Sequence, residues 1–261
     1  MDLITLAELK IIADEKGFNI NLIEKDYLIT FLLYLLKDVE NIYFKGGTAL
    51  NKIFLDHERL SEDIDFTITT NLNTVEKEIK NRLKGTIFDK ISHDKRVDKF
   101  IRLIIHYKLF HDAGTIFIDL NERAKLLLKP EKLEVKHFYK DFIPQFSVNT
   151  LSLKEMVAEK MAAAIGRNKP RDHFDLLSII SRKMPIDYSL ARQKCAESGD
   201  DFSIIKMFNK AKNLKNRWDE DMNPLLAKRI KFVEAMKTLA KHFKYAEEKE
   251  KIKKMLEKER Y

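Results

Sequence analysis

Two aspartates, Asp63 and Asp65, stand two apart in DIDFTIT, a stretch that alternates polar and apolar residues as a half-buried strand does. Their side chains then leave the same face about 7 Å apart, with Thr67 continuing that face and Ile64, Phe66 and Ile68 taking the other. Carboxylates so placed repel one another, and a divalent cation relieves the repulsion. Magnesium fits, because it takes oxygen ligands and commonly shares its shell with substrate phosphates. A solvated acidic sheet edge is the plain alternative. Upstream, Gly46 and Gly47 fall between the apparent strand NIYFK and the helical stretch TALNKIF. Backbone N–H groups at such a strand-to-helix junction can approach a phosphate, and the start of a helix favours negative charge. An ordinary tight turn would look the same. The sequence has no G-x-x-x-x-G-K-[ST] and no G-x-G-x-x-G.

Three further places carry titratable residues. Asp119 lies in IFIDLN on the side of Phe117 and Asn121, where a carboxylate needs a metal or hydrogen bonds unless it faces water. Lys160 interrupts an apolar helix face formed with Val157, Met161 and Ala164, so it either snorkels or reaches a phosphate, and Arg167 follows nearly on the same face. The run RDHFD then places Arg171, Asp172 and Asp175 in an early helical turn, where acids also simply complement the helix dipole. His173 reads as a packing or surface histidine. No His/Cys set has zinc spacing, and no Ser/His/Asp arrangement stands out.

The elements that must hold these residues are legible from periodicity. Residues 5–16 and 22–37 read as helices, the second with Leu22, Ile23, Tyr27, Leu28, Phe31 and Leu32 near a 3.6 period. Residues 100–109 and 115–121 alternate as strands and are expected to lie antiparallel around a turn at HDAG. After Pro144 the pattern changes. LSLKEMVAEKMAAAIGR is a helix, with Ser152 as N-cap and Glu155 completing a capping box. It stops at Gly166, and the next helix begins with Pro170 in its first turn. From about residue 188 onward everything reads helical. Seven glycines and five prolines in 261 residues leave room for long helices. Strands segregate to the first half and helices to the second, which is an α+β plan with a mixed or antiparallel sheet and a division at residues 1–148 and 149–261.

Composition narrows the classes. With 44% hydrophobic and 34% charged residues the chain is globular rather than disordered. YLITFLLYLL, residues 27–36, is about half the ~20 residues a membrane span requires and reads as a buried helix. The amphipathic, acid-interrupted N-terminus is unlike a secretory leader, and the lone Cys195 excludes an intrachain disulfide, so no membrane partner and a cytoplasmic setting are expected. The net charge of +8 sits wholly in residues 206–261, which carry 17 Lys/Arg against 9 Asp/Glu. A polyanion such as RNA would be drawn there. KYAEEKEKIKKMLEKER also interleaves both signs at i,i+4 spacing, as a solvated helix face does.

FKGGTALNKIF…RLSEDIDF, preceded by IEKDYLITFLL and followed by IDLN and by LSLKEMVAEKMAAAIGRNKPRDHFDL, resembles the AbiEii/AbiGii toxin family of nucleotidyltransferases across residues 20–180. The resemblance implies a polymerase β-like nucleotidyltransferase core; the division of elements puts this core in residues 1–148, ahead of a helical C-terminal domain in 149–261 that carries the Lys160 and Asp172 motifs and a basic tail. The resemblance also implies a toxin of a type IV toxin–antitoxin or abortive-infection system that transfers a nucleoside monophosphate from NTP to RNA, at the tRNA 3′ end, with a cognate antitoxin as partner. By residue, it implies that Asp63, Asp65 and Asp119 hold Mg2+ in a two-metal site, and that Gly46, Gly47 and Thr48 cradle the NTP phosphates with Ser61 nearby. Lys160 would contact the triphosphate with Arg167, and Asp172 would support catalysis or orient Lys160. Thr48 stands where the superfamily commonly has Ser, so a hydroxyl is kept. Two other readings stay open: nucleotidyl transfer to a protein or small molecule, and a non-catalytic nucleic-acid or partner-binding module on the same fold.

Overall fold

A computed structural model describes residues 3–110 and 113–258. The chain divides into two compact units, one comprising residues 1–156 with 225–227 and the other residues 157–224 with 228–261.

The first unit opens with α1 (Leu6–Lys16), started by a capping box between Thr5 and Glu8 and stopped at Gly17 with φ 72°. Next come α2 (Ile20–Leu36), capped by Asn19, and the short strand β1 (Ile42–Lys45). The chain then enters α3 (Gly46–Ala49), which runs without a break into a π-helical turn, Leu50–Phe54. Then follow β2 (Asp63–Ile68), α4 (Leu72–Leu83), β3 (Ile91–Val97), β4 (Phe100–Lys108), β5 (Ala113–Asn121), β6 (Glu131–Glu134) and β7 (Ser147–Thr150).

Among the described residues these strands form one sheet in the order β3-β4-β5-β2-β1-β7-β6. The pairs β2/β5 and β1/β7 are parallel and the others antiparallel. The fold class is therefore α+β, as the segregation of elements indicates. The inward face of the central strands is wholly apolar: Phe44, Ile64, Phe66, Leu103, Ile118 and Leu120 are each at most 2% exposed. The expected alternation in β2 holds for Ile64, Phe66 and Ile68, but Thr67 on the aspartate face is also fully buried.

The expected antiparallel pairing of β4 with β5 is present from Phe100↔Asn121 to Lys108↔Ala113; His111 and Asp112 of the HDAG turn lie outside the described residues. The helices at 5–16 and 22–37 also form, with the second starting two residues early at its Asn19 cap. Four elements lie outside the expectations from periodicity. β3 (ISHDKRV) is a charged edge strand exposed along most of its length, so it lacks the alternation that burial imposes. β6 and β7 are four residues each. The helix α4 carries a readable Asn71 cap and a Leu72, Val75, Ile79, Leu83 stripe, all buried.

The other unit is helical: the last ten residues of α5 (Leu153–Gly166), then α6 (Pro170–Ser181), α7 (Tyr188–Glu197), α8 (Ile204–Phe208), α9 (Ala211–Met222), α10 (Phe232–His242) and α11 (Tyr245–Lys258). Pro170 occupies the first turn of α6 as expected. At the start of α5, Ser152 Oγ accepts from the Glu155 N–H, which is the Ser152 half of the expected box, while the Glu155 carboxylate accepts from the N–H groups of Leu127 and Leu128 at 2.8 and 3.0 Å and so ties down a loop. Trp218 is fully buried and donates to the Ile230 carbonyl at 2.9 Å. Cys195 is buried, which pushes its thiol pKa up and suits an inert role.

Candidate active site

The antiparallel pairing of β1 with β2 sets Lys45 opposite Asp65, so the residue after β1, Gly46, arrives beside that carboxylate. Gly46 has φ +77°, and a Cβ built on it would lie 2.2 Å from Asp65 Oδ2 and 2.9 Å from Asp65 Cγ. Only glycine fits there, on both backbone and steric grounds. Two residues on, the Thr48 hydroxyl donates to the Asp63 main-chain carbonyl, tying the start of α3 to the aspartate strand. Asn51 continues the tie: its Nδ2 donates to the Gly47 carbonyl at 3.0 Å and its Oδ1 accepts from the Arg59 N–H at 3.2 Å. Ser61 sits in the buried approach to β2. The glycine turn and the D-x-D pair, separate features in the sequence, are thus one packed structure.

Asp119 enters from β5. The parallel register pairs it directly with Asp65, which puts Asp63, Asp65 and Asp119 on one face of the sheet. Asp119 is not left to the aspartates. Arg102, directly opposite on β4, donates from Nε to Oδ1 and from NH2 to Oδ2, both at 2.7 Å. This fork-to-carboxylate pair is the strong, planar kind. The hydrogen bonds to Asp119, with the charges of Asp119, Asp63 and Asp94, raise the guanidinium pKa, so Arg102 is a permanent cation beside the acidic face. Its guanidinium also lies 5.4 Å from the Phe117 ring centroid. Arg102 lies outside the residues expected from the sequence; its signal there is a lone cation in the alternating strand FIRLI, set level with Asp119 by the β4/β5 register.

The donor set on this face is all carboxylate oxygen, which suits a hard divalent cation. Among the described residues, however, no three His, Cys, Asp or Glu side chains are grouped as a metal site. Asp63 and Asp65 fit a cation by chemistry and placement, whereas both oxygens of Asp119 are engaged by Arg102.

In the helical unit, Lys160 of α5 is 5% exposed and its Nζ lies 3.1 Å from Asp172 Oδ1 and 2.9 Å from Asp175 Oδ2. Arg167 donates to Asp172 through Nε and NH2, both at 2.8 Å, with its own side chain more than half exposed. Burial would raise the Asp172 pKa, but the charges and hydrogen bonds of Lys160 and Arg167 outweigh it and hold the carboxyl well below the usual range. The structure therefore joins Lys160, Arg167 and Asp172 in one network and adds Asp175 to it. His173 is a packing residue: its ring nitrogens face the carbonyls of Lys169 and Met207 at 3.0 and 2.8 Å.

The sequence profile described as nucleotidyl transferase AbiEii toxin, type IV TA system, matches residues 32–249. The chain belongs to the AbiEii nucleotidyltransferase toxin family. No curated protein sequence matches it. Among solved structures, the AbiEii-family chain is similar to MenT4, a nucleotidyltransferase toxin from Mycobacterium tuberculosis, with 22% identity and a TM-score of 0.61 over 80% of this chain and 72% of that one. It is also similar to JHP933 from Helicobacter pylori, with 18% identity and a TM-score of 0.60 over 94% and 100% of the two chains. At these identities the structural likeness shows a shared fold. This AbiEii-family protein is a nucleotidyltransferase, and among its described residues no helix is long and apolar enough to cross a membrane.

Proposed function

We propose that this AbiEii-family toxin transfers a nucleoside monophosphate from an NTP to RNA, at the 3′ end of tRNA, with Mg2+ as its metal. The observation that carries the reading is the packing of Gly46 against the Asp65 carboxylate, with Thr48 bonded to the Asp63 carbonyl. A backbone able to receive phosphate and a pair of carboxylates able to receive the phosphate's metal are thereby in contact. The N–H groups of Gly47 and Thr48 would take phosphate oxygens, since the Thr48 hydroxyl is already committed to β2. Asp63 and Asp65 would hold Mg2+, whose chemistry there is to neutralise phosphate charge and favour loss of pyrophosphate. Asp119 is the third carboxylate of the set, and Arg102 keeps it oriented and neutralised. In the helical unit, Lys160 and Arg167 are the phosphate-directed cations, and Asp172 orients both. The basic excess of residues 206–261 supports an RNA acceptor. Membership of a toxin–antitoxin family implies an antitoxin as the other partner.

The test is incubation of the protein and cell extract with each α-labelled NTP in turn. Label is expected in RNA of tRNA size, and it should vanish with Asp63→Ala or Asp65→Ala. Label in protein or in a small metabolite would replace the acceptor, and transfer undiminished in both variants would remove the metal assignment.

A further inference from the structure

A buried ion pair in the strand-bearing unit involves the π turn that continues α3 rather than the carboxylate face. Lys52 and Asp26 are 2% and 1% exposed, and Lys52 Nζ lies 2.7 Å from Asp26 Oδ1. Lys52 also donates to Thr30 Oγ1 at 2.9 Å, and the Tyr139 hydroxyl reaches Asp26 Oδ2 at 3.1 Å. Neither residue belongs to the carboxylate face, and neither has a part in the chemistry described above.

Their placement gives them one. Lys52 sits in the π turn that continues α3, where Leu55 N–H reaches back to the Leu50 carbonyl at 2.9 Å. Such turns are rare and recur at functional sites, because the extra residue re-aims the side chains and amides on either side of it. The Lys52 carbonyl accepts from the Lys136 N–H at 3.0 Å, so the turn is held from the 136–139 segment as well. Asp26 belongs to α2, and α2 is a long, stiff helix. A helix of nine residues is thus pinned at one end to Asp63 by Thr48 and at the other to Asp26 by Lys52.

Cohesion alone does not account for the pair. Two charges taken out of water lose as much as their attraction returns, and apolar residues of the same size commonly serve stability equally well; what a buried pair adds is a single register. The neighbours do not need it either. The Tyr139 hydroxyl also reaches the Ile23 carbonyl at 3.0 Å, and the Thr30 hydroxyl donates to the Asp26 carbonyl at 2.7 Å, so both keep main-chain partners without the charges. We infer that the Asp26–Lys52 pair is a positioning pair for the nucleotide turn: it fixes the rotation and depth of Gly46–Phe54, and hence the amides of Gly47 and Thr48 relative to Asp63 and Asp65. The inference rests on the reading of that turn as the phosphate cradle.

The decisive variant is the neutral isosteric double, Asp26→Asn with Lys52→Met, which leaves no unpaired buried charge. Its thermal midpoint is expected within about 4 °C of wild type, with the KM for NTP raised about tenfold and more than kcat is lowered. Hydrogen exchange should accelerate at Leu50 and Leu55, whose N–H groups report the α3 and π turns, and stay unchanged at Ile118 in the middle of the sheet. KM and kcat both within about twofold of wild type, with unchanged exchange, would mean the pair is structural filling and overturn the inference. The exchange measurement needs no nucleotide. Faster exchange at Leu50 in a protein whose wild type binds no NTP would therefore fault the phosphate reading while upholding the positioning role. Should the double variant not fold, Asp26→Glu, which keeps both charges and displaces the carboxylate from Lys52 by one methylene, is measured by the same exchange and kinetics: faster exchange at Leu50 and Leu55 with a raised KM upholds the inference, and wild-type values of both overturn it.

Discussion

Replacing Gly46 by alanine separates geometry from stability. The added Cβ would stand 2.2 Å from Asp65 Oδ2, and carbon–oxygen contacts require about 3.2 Å, so carboxylate and backbone must part by roughly 1 Å. The alanine must also hold φ near +77°, a left-handed conformation that costs about 1–2 kcal/mol. Against a total stability of about 5–15 kcal/mol, that cost leaves the protein overwhelmingly folded. A displacement of about 1 Å at a positioned group, by contrast, is worth about a hundredfold in rate, or about 2.7 kcal/mol of transition-state stabilisation. Transfer of labelled NTP by Gly46→Ala should therefore fall about a hundredfold while the thermal midpoint drops by only about 5 °C. Calorimetry and the transfer assay on one preparation measure both. Activity within about threefold of wild type, or a loss that merely tracks the unfolded fraction, would refute the coupling of the turn to the carboxylate.

Three other outcomes are expected from named contacts. Asp172→Asn removes a fully buried carboxylate from two cations and should cost about 3 kcal/mol by urea unfolding, the low end for such pairs because Asp175 still serves Lys160; Arg167→Gln, at a half-exposed side chain, should cost under about 1 kcal/mol, and equal costs would contradict the network. Burial, helped by the nearby Lys52 charge, holds His57 and His137 down to about 4 from an ordinary 6.5, and each has a buried Nε2 without a partner among the described residues. The unfolded chain therefore binds more protons between those values. Stability should be intact above pH 6.5 and fall towards pH 4 by up to about 1.4 kcal/mol per pH unit for each histidine, and NMR titration of both rings near 6.5 would remove the effect. Arg102→Gln takes a cation from the acidic face, so Mn2+ affinity measured by paramagnetic resonance should rise about tenfold; an unchanged affinity would show that Arg102 does not offset the carboxylates.

Much of the fold was legible because burial writes a period into the chain. The strands β2, β4 and β5 carry alternating apolar residues because each buries one face, and α2 is apolar nearly all round because it lies in the core. β3 escaped for the complementary reason: an edge strand exposed along its length is free to be ISHDKRV, and nothing in that string distinguishes it from a loop. The π turn escaped too, because no residue preference marks a single widened turn, and its sign is only that Lys52 points into the core.

The candidate site divides along the same line. Residue types suggested the proposed chemistry: paired acids, a glycine junction, and a lysine on an apolar helix face. What the sequence could not carry was which neighbour each group would hold. Asp65 lies against Gly46 because β1 and β2 pair with Lys45 opposite Asp65, a register that depends on the whole sheet. Asp119 meets Arg102 because β5 is shared between β2 and β4, so one aspartate stands between an acidic strand and a basic one. That position gives Asp119 a double allegiance: on one side to the carboxylates that would gather a metal, on the other to a fixed guanidinium that already neutralises it. The number of negative charges presented to an incoming cation is then set by Arg102 as much as by the aspartates. A count of acids alone would have made this face more strongly negative than it is.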